Sequence, residues 1–280
     1  MRSIGVVGAG TMGIGIAQCL AVAGHHAVVV DTDDAALARA DTALRQAVRL
    51  ALLLGRGDRA ALTRAPESVE WTTDIAALHD AEFVIECVTE EPGLKTSVFR
   101  DLDRVCGAAT ALASCTSAIP IGRLAAATAH PERVLGLHIM NPAPLTGTVE
   151  VVRGAQTSAA ALDLALAVVG EMGKDGIVVP DRPGFVINRV LMLSIVEAAA
   201  AVADGVSAAT VDTLFEGCLG HATGPLRTAD LIGLDNVADT LTVLRTELND
   251  DRYTAPPVLT ALVAAGQYGR KTGQGFHDYR

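Results

Sequence analysis

Residues 135–152, LGLHIMNPAPLTGTVEVV, place one histidine and one glutamate in otherwise apolar runs. His138 lies in the first run, and Glu150 lies in the second, beyond a turn that contains two prolines. An ionisable group in a buried strand costs several kcal/mol unless it is paired or neutral. We therefore expect His138 and Glu150 either to satisfy each other or to transfer protons, a task that suits imidazole because its ordinary pKa of about 6.5 lies near neutrality.

A second pattern, VVGAGTMGIG at residues 6–15, has the G-x-G-x-x-G spacing of a dinucleotide-binding turn. It follows a strand-like run and opens a helix-like segment, and an aspartate ends the next apolar run. The glycines would let a pyrophosphate approach the helix N-terminus, and the acid would bind the adenine-ribose hydroxyls, which favours NAD over NADP. The residues of this predicted cofactor site are Gly8, Gly10, Thr11, Met12, Gly13 and Asp31.

Seven near-continuous apolar runs alternate with helix-like segments over the first two thirds of the chain. Runs of Val and Ile without polar alternation are typical of strands buried on both faces of a parallel sheet. The pattern predicts an α/β fold, a Rossmann-type doubly wound and mainly parallel sheet, with a helical insertion near residues 34–66. The predicted strands are residues 4–8, 27–31, 83–88, 111–115, 134–139, 149–152 and 176–180.

The last hundred residues have a different pattern, with apolar or amphipathic helices bounded by Gly or Pro and no strand candidate after residue 180. This change predicts an NAD-binding domain at residues 1–182 and an all-helical domain at residues 183–280. The helices of the second domain are more apolar than a solvated surface requires. We therefore expect this domain to form a homodimer.

Composition limits the class of function. The chain is 50% hydrophobic and 19% charged, as ordinary globular proteins are, and its net charge of −10 argues against nucleic-acid or membrane-surface partners. No apolar run has the length of a membrane span, and the chain enters a strand at once without a signal sequence, so we predict a cytoplasmic protein. Five scattered cysteines predict neither a disulfide framework nor a metal site, and only Cys115 is a candidate to line a functional site.

The order of several motifs resembles the 3-hydroxyacyl-CoA dehydrogenase family over nearly the whole chain. These motifs are the glycine turn, VTEE followed by a lysine, SCTS, HIMNP before VEVV, PGFVINR, GPLRTADLIGLD and GRKTGQGF. The resemblance implies a Rossmann domain, a helical dimerisation domain, NAD as cofactor, and oxidation of a 3-hydroxyacyl thioester to the 3-oxoacyl thioester.

The resemblance also implies roles for single residues. His138 matches the catalytic histidine, Glu150 the glutamate that orients it, and Ser117 and Asn188 the residues that hydrogen-bond the substrate oxygen. Oxidising a secondary alcohol requires removal of the hydroxyl proton while hydride leaves carbon, and a histidine held by a carboxylate suits that task. The positions that match family residues near the cofactor are Glu90, Lys95, Asn141 and Lys271.

The chain departs from the family pattern around the expected acyl pocket. Ile139 and Met140 replace two aromatic residues, and Thr146, Gly147 and Thr148 stand where Met-Lys-Leu is usual. Cys115 also stands where asparagine is usual. Smaller and more polar groups would reshape the pocket and would suit a substrate with an extra hydroxyl.

The carrier of the acyl group stays open at this point. In the family, Ser and Lys residues of the helical insertion bind coenzyme A phosphates, whereas LRQAVRLALLLGRGD has only Arg45, Arg49 and Arg56. Arginine binds phosphate well, so we expect Arg45 and Arg49 to contact either coenzyme A or an acidic acyl carrier protein. A carrier-bound substrate would be a hydroxyacyl or glyceryl thioester, as in polyketide extender-unit pathways.

Two other classes of function remain as alternatives. A free hydroxy-acid dehydrogenase of related fold would need no pantetheine arm. An NAD-binding module without turnover would need no proton-transfer pair, so the presence of His138, Glu150, Ser117 and Asn188 counts against it.

Overall fold

The computed structural model describes residues 1–280, and the chain forms two compact units, residues 1–181 and 182–280. All eight strands lie in the first unit. They are β1 Ser3–Val7, β2 His26–Val30, β3 Val69–Thr72, β4 Phe83–Glu86, β5 Ala111–Ser114, β6 Val134–His138, β7 Thr148–Arg153 and β8 Asp175–Pro180.

The strands form one sheet in the order β3-β2-β1-β4-β5-β6-β7-β8. All neighbouring pairs are parallel except β6 and β7, which are antiparallel. The central strands are buried on both faces, as their unbroken apolar sequences predict. The prediction of a Rossmann-type, mainly parallel sheet is confirmed. Since β1, β4, β5 and β6 run in parallel, the residues that follow them meet at one edge of the sheet.

Six helices accompany the sheet: α1 Thr11–Val22, α2 Asp34–Leu53, α3 Arg59–Arg64, α4 Pro92–Val105, α5 Ile121–Ala125 and α6 Ala159–Glu171. The apolar faces of α1, α2, α3 and α6 share one core with the strands, in which most of α1 is buried. Helices α4 and α5 bury residues of their own, among them Phe99 and Ile121. The predicted helical insertion consists of α2, α3 and a 3-10 turn at Ala65–Ser68.

The sequence patterns missed one strand, β3. Its sequence, VEWT, is short, contains a glutamate and is only half-buried because it lies at the edge of the sheet. This edge strand lacks the apolar run by which the other strands were found, so hydrophobicity alone gave no signal for it.

The second unit is helical, with α7 Ile187–Ala203, α8 Ala208–Leu219, α9 Pro225–Ile232, α10 Leu234–Leu248 and α11 Pro257–Ala264. The stretch GPLRTADLIGLDNVADTLTVLRTELND, bounded by Gly and Pro, predicts a single helix, whereas the structure has two, α9 and α10. Gly233 separates them because its φ of 100° is incompatible with a continuing helix. The core of this unit includes Ile195, Leu241 and Tyr253. None of the helices combines the length and apolarity that crossing a bilayer would require.

Candidate active site

The glycine turn joins β1 to α1. Gly8 has a φ of +105°, which favours glycine, and a Cβ on it would lie 2.9 Å from the backbone of Cys87. A Cβ on Gly13 would lie 1.8 Å from the carbonyl oxygen of Gly8, so the packing of α1 against the turn requires glycine there. A Cβ on Gly10 would meet nothing within 4 Å. Glycine at position 10 therefore leaves open a space that the protein itself does not fill.

Asp31 lies directly beyond β2 and beside this turn. Its carboxylate accepts hydrogen bonds from the backbone N–H of Ala9 at 2.8 Å and of Asp33 at 3.2 Å. Gly10 is the N-cap of α1 and provides no side-chain cap, so the first N–H groups of the helix face the open space. Thr11 is exposed at the start of α1, whereas Met12 packs partly against the core. An open helix N-terminus beside a half-buried acid fits the pyrophosphate and ribose of NAD.

A buried ion pair lies at the ends of β4 and β5. Lys95, which is 1% exposed, donates from Nζ to Glu86 at 2.7 Å and to the carbonyl of Val88 at 3.0 Å. The other carboxylate oxygen of Glu86 accepts from the Ser114 hydroxyl at 2.6 Å. Burial by itself lowers the pKa of Lys95, but the carboxylates of Glu86 and Glu90 raise it above its ordinary value, so the ammonium is retained.

Glu90 links this pair to the SCTS turn. Its Oε2 lies 3.3 Å from the Lys95 ammonium, and its Oε1 accepts from the Thr116 hydroxyl at 2.5 Å and from the backbone N–H of Ser117 at 2.8 Å. The position of Ser117 therefore depends on Glu90, and through Lys95 on Glu86. Sequence reasoning missed Glu86. The only signal was an acid at the end of an otherwise apolar strand, nine residues before a scarce lysine.

His138 and Glu150 face each other across the antiparallel pair of strands. They are direct partners in the register of β6 and β7, and His138 Nδ1 lies 2.6 Å from Glu150 Oε2. Both side chains are buried, at 4% and 8% exposure. A hydrogen bond from Nδ1 to the carboxylate selects the imidazole tautomer that has its lone pair on Nε2.

The other candidate residues of the first unit lie around the same edge. Ser117 follows β5, and Asn141 is exposed in the turn after β6. Cys115, at the end of β5, donates from its thiol to the carbonyl of Leu137 at 3.2 Å. Contact with the Cys115 thiol, together with burial, holds the pKa of Cys87 well above its ordinary value, so Cys87 remains a neutral thiol.

Two candidates lie in the second unit. Asn188 is buried in the first turn of α7. Lys271 is 46% exposed; its ammonium pairs with Asp235 at 2.6 Å and lies 5.3 Å from the centre of the Tyr268 ring. The remaining two candidates, Arg45 and Arg49, are exposed on α2, where Arg45 pairs with Asp41 at 2.8 Å.

Comparison with known proteins finds two family models that together cover almost the whole chain. Residues 3–182 match the 3-hydroxyacyl-CoA dehydrogenase NAD-binding domain, and residues 184–279 match the C-terminal domain of the same family. A probable 3-hydroxybutyryl-CoA dehydrogenase of Bacillus subtilis is 38% identical over 100% of this chain and 98% of its own length.

Solved structures show the same similarity. The (S)-3-hydroxybutyryl-CoA dehydrogenase of Ralstonia eutropha superposes with a TM-score of 0.95 at 37% identity, over 100% of this chain and 99% of its own. The 5-formyl-3-hydroxy-2-methylpyridine 4-carboxylic acid 5-dehydrogenase, an NAD+-dependent dismutase, superposes with a TM-score of 0.80 at 32% identity, over 100% of this chain and 91% of its own.

Gly10 and Gly13, the second and third glycines of the turn, allow a matched test. Gly13→Ala should destabilise the protein by about 1–3 kcal/mol because its methyl group overlaps backbone. Gly10→Ala should cost no more than about 1 kcal/mol, because alanine is a poorer N-cap than glycine but meets no neighbouring atom. It should nevertheless weaken NAD binding about tenfold or more because its methyl group fills the open space. Urea unfolding and calorimetric titration with NAD measure the two effects. Unchanged NAD affinity in Gly10→Ala would show that no ligand approaches there.

Removal of the buried ammonium should be costly. Lys95→Met should lower the free energy of unfolding by about 3–5 kcal/mol because the Glu86 carboxylate stays buried without its cation. Lys271→Met removes a half-exposed pair and should cost no more than about 1 kcal/mol. Since the folded pKa of Lys95 is raised, its stabilisation is complete below the ordinary value of 10.5 and is lost as pH rises through the folded pKa. Equal losses in the two variants would contradict this.

Proposed function

The chain belongs to the 3-hydroxyacyl-CoA dehydrogenase family and is an NAD-dependent oxidoreductase, and we propose that it oxidises the 3-hydroxyl of an acyl thioester with His138 and Glu150 as its acid-base pair. The observation that carries this proposal is the 2.6 Å contact between His138 Nδ1 and Glu150 Oε2 in a buried position at the carboxyl edge of the sheet. A buried pair of this kind is suited to moving one proton.

His138 takes the hydroxyl proton on Nε2 and returns it when the reaction runs in the reverse direction. Glu150 holds the ring in the required tautomer and stabilises the imidazolium that proton transfer creates, since its carboxylate already accepts from Nδ1. Low exposure strengthens that stabilisation because water does not screen the pair.

Ser117 and Asn188 donate hydrogen bonds to the substrate oxygen in this proposal. They orient the hydroxyl toward His138 and polarise the carbonyl that forms. The hydrogen bonds from Thr116 and Ser117 to Glu90 support the role of Ser117, because they hold its backbone in place before substrate binds.

NAD, when bound, supplies the acceptor for the hydride that leaves carbon 3. Gly10 leaves room for its pyrophosphate at the N-terminus of α1, whereas Gly8 and Gly13 allow the turn and the helix to pack closely beside it. Asp31 accepts from the ribose hydroxyls in this proposal. The further residues assigned to the cofactor side are Thr11, Met12, Glu90, Lys95, Asn141 and Lys271. Because Lys95 is 1% exposed, it acts on this side by holding Glu90 and the carbonyl of Val88 rather than by direct contact.

We assign residues 1–182 to cofactor binding and residues 183–280 to substrate binding and homodimer formation. Large apolar side chains exposed on the second unit favour a dimer, because such surface is normally covered. They include Val190 at 64%, Leu219 at 63% and Leu214 at 55% exposure.

The names of the relatives favour a 3-hydroxybutyryl-CoA thioester of (S) configuration as substrate. A relative of comparable identity is named for a pyridine carboxylic acid, so the thioester requires its own test. The decisive assay measures NADH formation with (S)-3-hydroxybutyryl-CoA and with free (S)-3-hydroxybutyrate. Turnover of the thioester alone is expected, whereas equal turnover of the free acid would favour a hydroxy-acid dehydrogenase.

Loss of the acid-base pair should lower turnover without loss of the fold. His138→Ala should reduce kcat by about 100-fold to 10,000-fold, the usual range for a general acid-base residue. Glu150→Gln should also reduce kcat, because an amide cannot stabilise the imidazolium. NADH absorbance in steady-state assays measures both variants. Robust turnover by His138→Ala would refute the histidine assignment, and intact NAD affinity in that variant serves as the control for folding.

The charge of Asp31 should decide between the two nicotinamide cofactors. Asp31→Ser should weaken discrimination against NADP because it removes the carboxylate that repels a 2′-phosphate, and Asp31→Arg should weaken it further. The ratio of kcat/KM for NAD to that for NADP measures the effect. Substitution of Asp34, an exposed acid in the first turn of α2, serves as the matched control. An unchanged ratio in both Asp31 variants would remove Asp31 from the ribose site.

A further inference from the structure

Helix α2 has two apolar faces, and only one of them is covered. The buried face consists of Leu37, Ala40, Leu44 and Val48, spaced as one stripe toward the core. In the last two turns a second set of leucines points outward. Leu50, Leu53 and Leu54 are 56%, 79% and 56% exposed. A surface helix that folds against one core needs one stripe, so the second stripe implies a binding partner.

The second stripe forms one wall of a groove in the first unit. The groove has a volume of about 620 Å³. Its walls include Leu50 and Leu54 on one side and Pro142, Pro144 and Leu145 on the other. Leu145 is itself 62% exposed. The groove therefore extends from the helical insertion to the turn that directly follows β6 and His138.

Lys174 holds the turn side of this groove in place. Its buried ammonium donates to the carbonyl of Ala143 and to the carbonyl of Thr146, each at 2.6 Å. These two bonds fix the turn that contains Pro144 and Leu145. The groove wall is thus built before any partner arrives.

The charge around the groove is opposite to that of the whole chain. The helical insertion, residues 34–66, contains six arginines and three aspartates, a formal charge of +3 in a protein whose net charge is −10. Arg49 is exposed on α2 one turn before Leu53, and Arg56 lines the groove. The acidic residue of the groove wall, Glu171, is within 3.3 Å of Arg2. The surface thus offers apolar contact within a cationic rim.

We propose that this leucine-arginine face, composed of Leu50, Leu53, Leu54, Leu145, Arg49 and Arg56, docks an acidic carrier protein that delivers the acyl thioester on a phosphopantetheine arm. The inference rests on the proposed thioester oxidation and names the carrier for it. An acidic helical partner matches the face in charge, and its own apolar side chains would cover the leucines.

The extent of the face favours a protein over coenzyme A alone. Leu53, the most exposed of the four leucines, belongs to the face but lies outside the groove lining. A small ligand in the groove would leave Leu53 in water. A docked protein would cover it and place the pantetheine arm in the groove, which runs to Pro142, four residues beyond His138.

One acyl group on three carriers tests the proposal. The (S)-3-hydroxybutyryl thioester is prepared on a phosphopantetheinylated acyl carrier protein, on coenzyme A and on N-acetylcysteamine. For the intact protein, kcat/KM with the carrier protein should exceed that with N-acetylcysteamine at least about tenfold. This ratio should fall about tenfold or more in Leu53→Glu and in Arg49→Glu. At high salt, the difference in this ratio between the wild type and Arg49→Glu should become smaller, because salt screens the charge of Arg49.

Matched controls separate docking from general damage. Arg100→Glu changes an exposed arginine on α4, away from the groove, and should leave the ratio unchanged. Leu53→Ser removes the apolar contact without adding charge and should also lower the ratio. Titration calorimetry with the unloaded phosphopantetheinylated carrier protein measures docking without turnover, and its affinity should fall in Leu53→Glu.

Several results would overturn the inference. An unchanged ratio in both Leu53→Glu and Arg49→Glu would show that the face does not dock the carrier. An equal loss with coenzyme A would make coenzyme A the occupant, and a change of molecular mass in solution for Leu53→Glu would make a second copy of this chain the occupant. Turnover of the coenzyme A and N-acetylcysteamine thioesters without a carrier advantage would leave the proposed function intact. Absence of turnover with all three thioesters would instead overturn the proposed function.

Discussion

The candidate site depends above all on one exception in the sheet, the antiparallel pairing of β6 with β7. In a wholly parallel sheet, residues at the carboxyl ends of neighbouring strands come from separate crossover units. Here a short turn returns the chain directly, and the register pairs His138 with Glu150 so that their side chains meet at 2.6 Å. A shift of one residue would put Glu150 on the opposite face of the sheet and would leave the histidine without its carboxylate. The antiparallel register thus determines the contact on which the proposed acid-base pair depends.

The parallel strands bring the other candidate site residues together, because these strands end at the same edge of the sheet. Strands β1, β4, β5 and β6 end at one edge, which places Gly8, Glu86, Ser114 and His138 in a row along it. Burial at this edge makes polar groups costly unless they pair, and the Glu86 and Lys95 network meets that requirement. The same network holds Glu90, which in turn holds the Ser117 turn. Stability and site geometry therefore rest on the same buried charges.

The helical insertion combines a face that packs on the core with the face that we propose docks a partner. Its buried stripe attaches it to the sheet, and its exposed leucines and arginines face away from that core. Lys174, which lines the groove beside this surface, holds the turn after His138 through two backbone carbonyls. The departures from the family pattern, at Ile139, Met140 and residues 146–148, lie in the same stretch of chain. The proposed carrier surface and the proposed acyl pocket thus both involve the region between β6 and β7, and the carrier surface also involves α2.

The amino-acid sequence by itself determined the fold class, because doubly buried strands require unbroken apolar runs. It also indicated which kinds of residues form the candidate site, because a histidine and a glutamate in such runs must be paired or neutral. It did not reveal β3, whose edge position removes the need for an apolar run, or the break at Gly233, since a helical period can continue across a glycine. Only the tertiary structure decided the register of His138 with Glu150, the partner of Lys95, and which leucines of α2 stay exposed. Those outcomes depend on contacts between residues distant in the chain, and local patterns of apolar and polar residues do not encode such contacts.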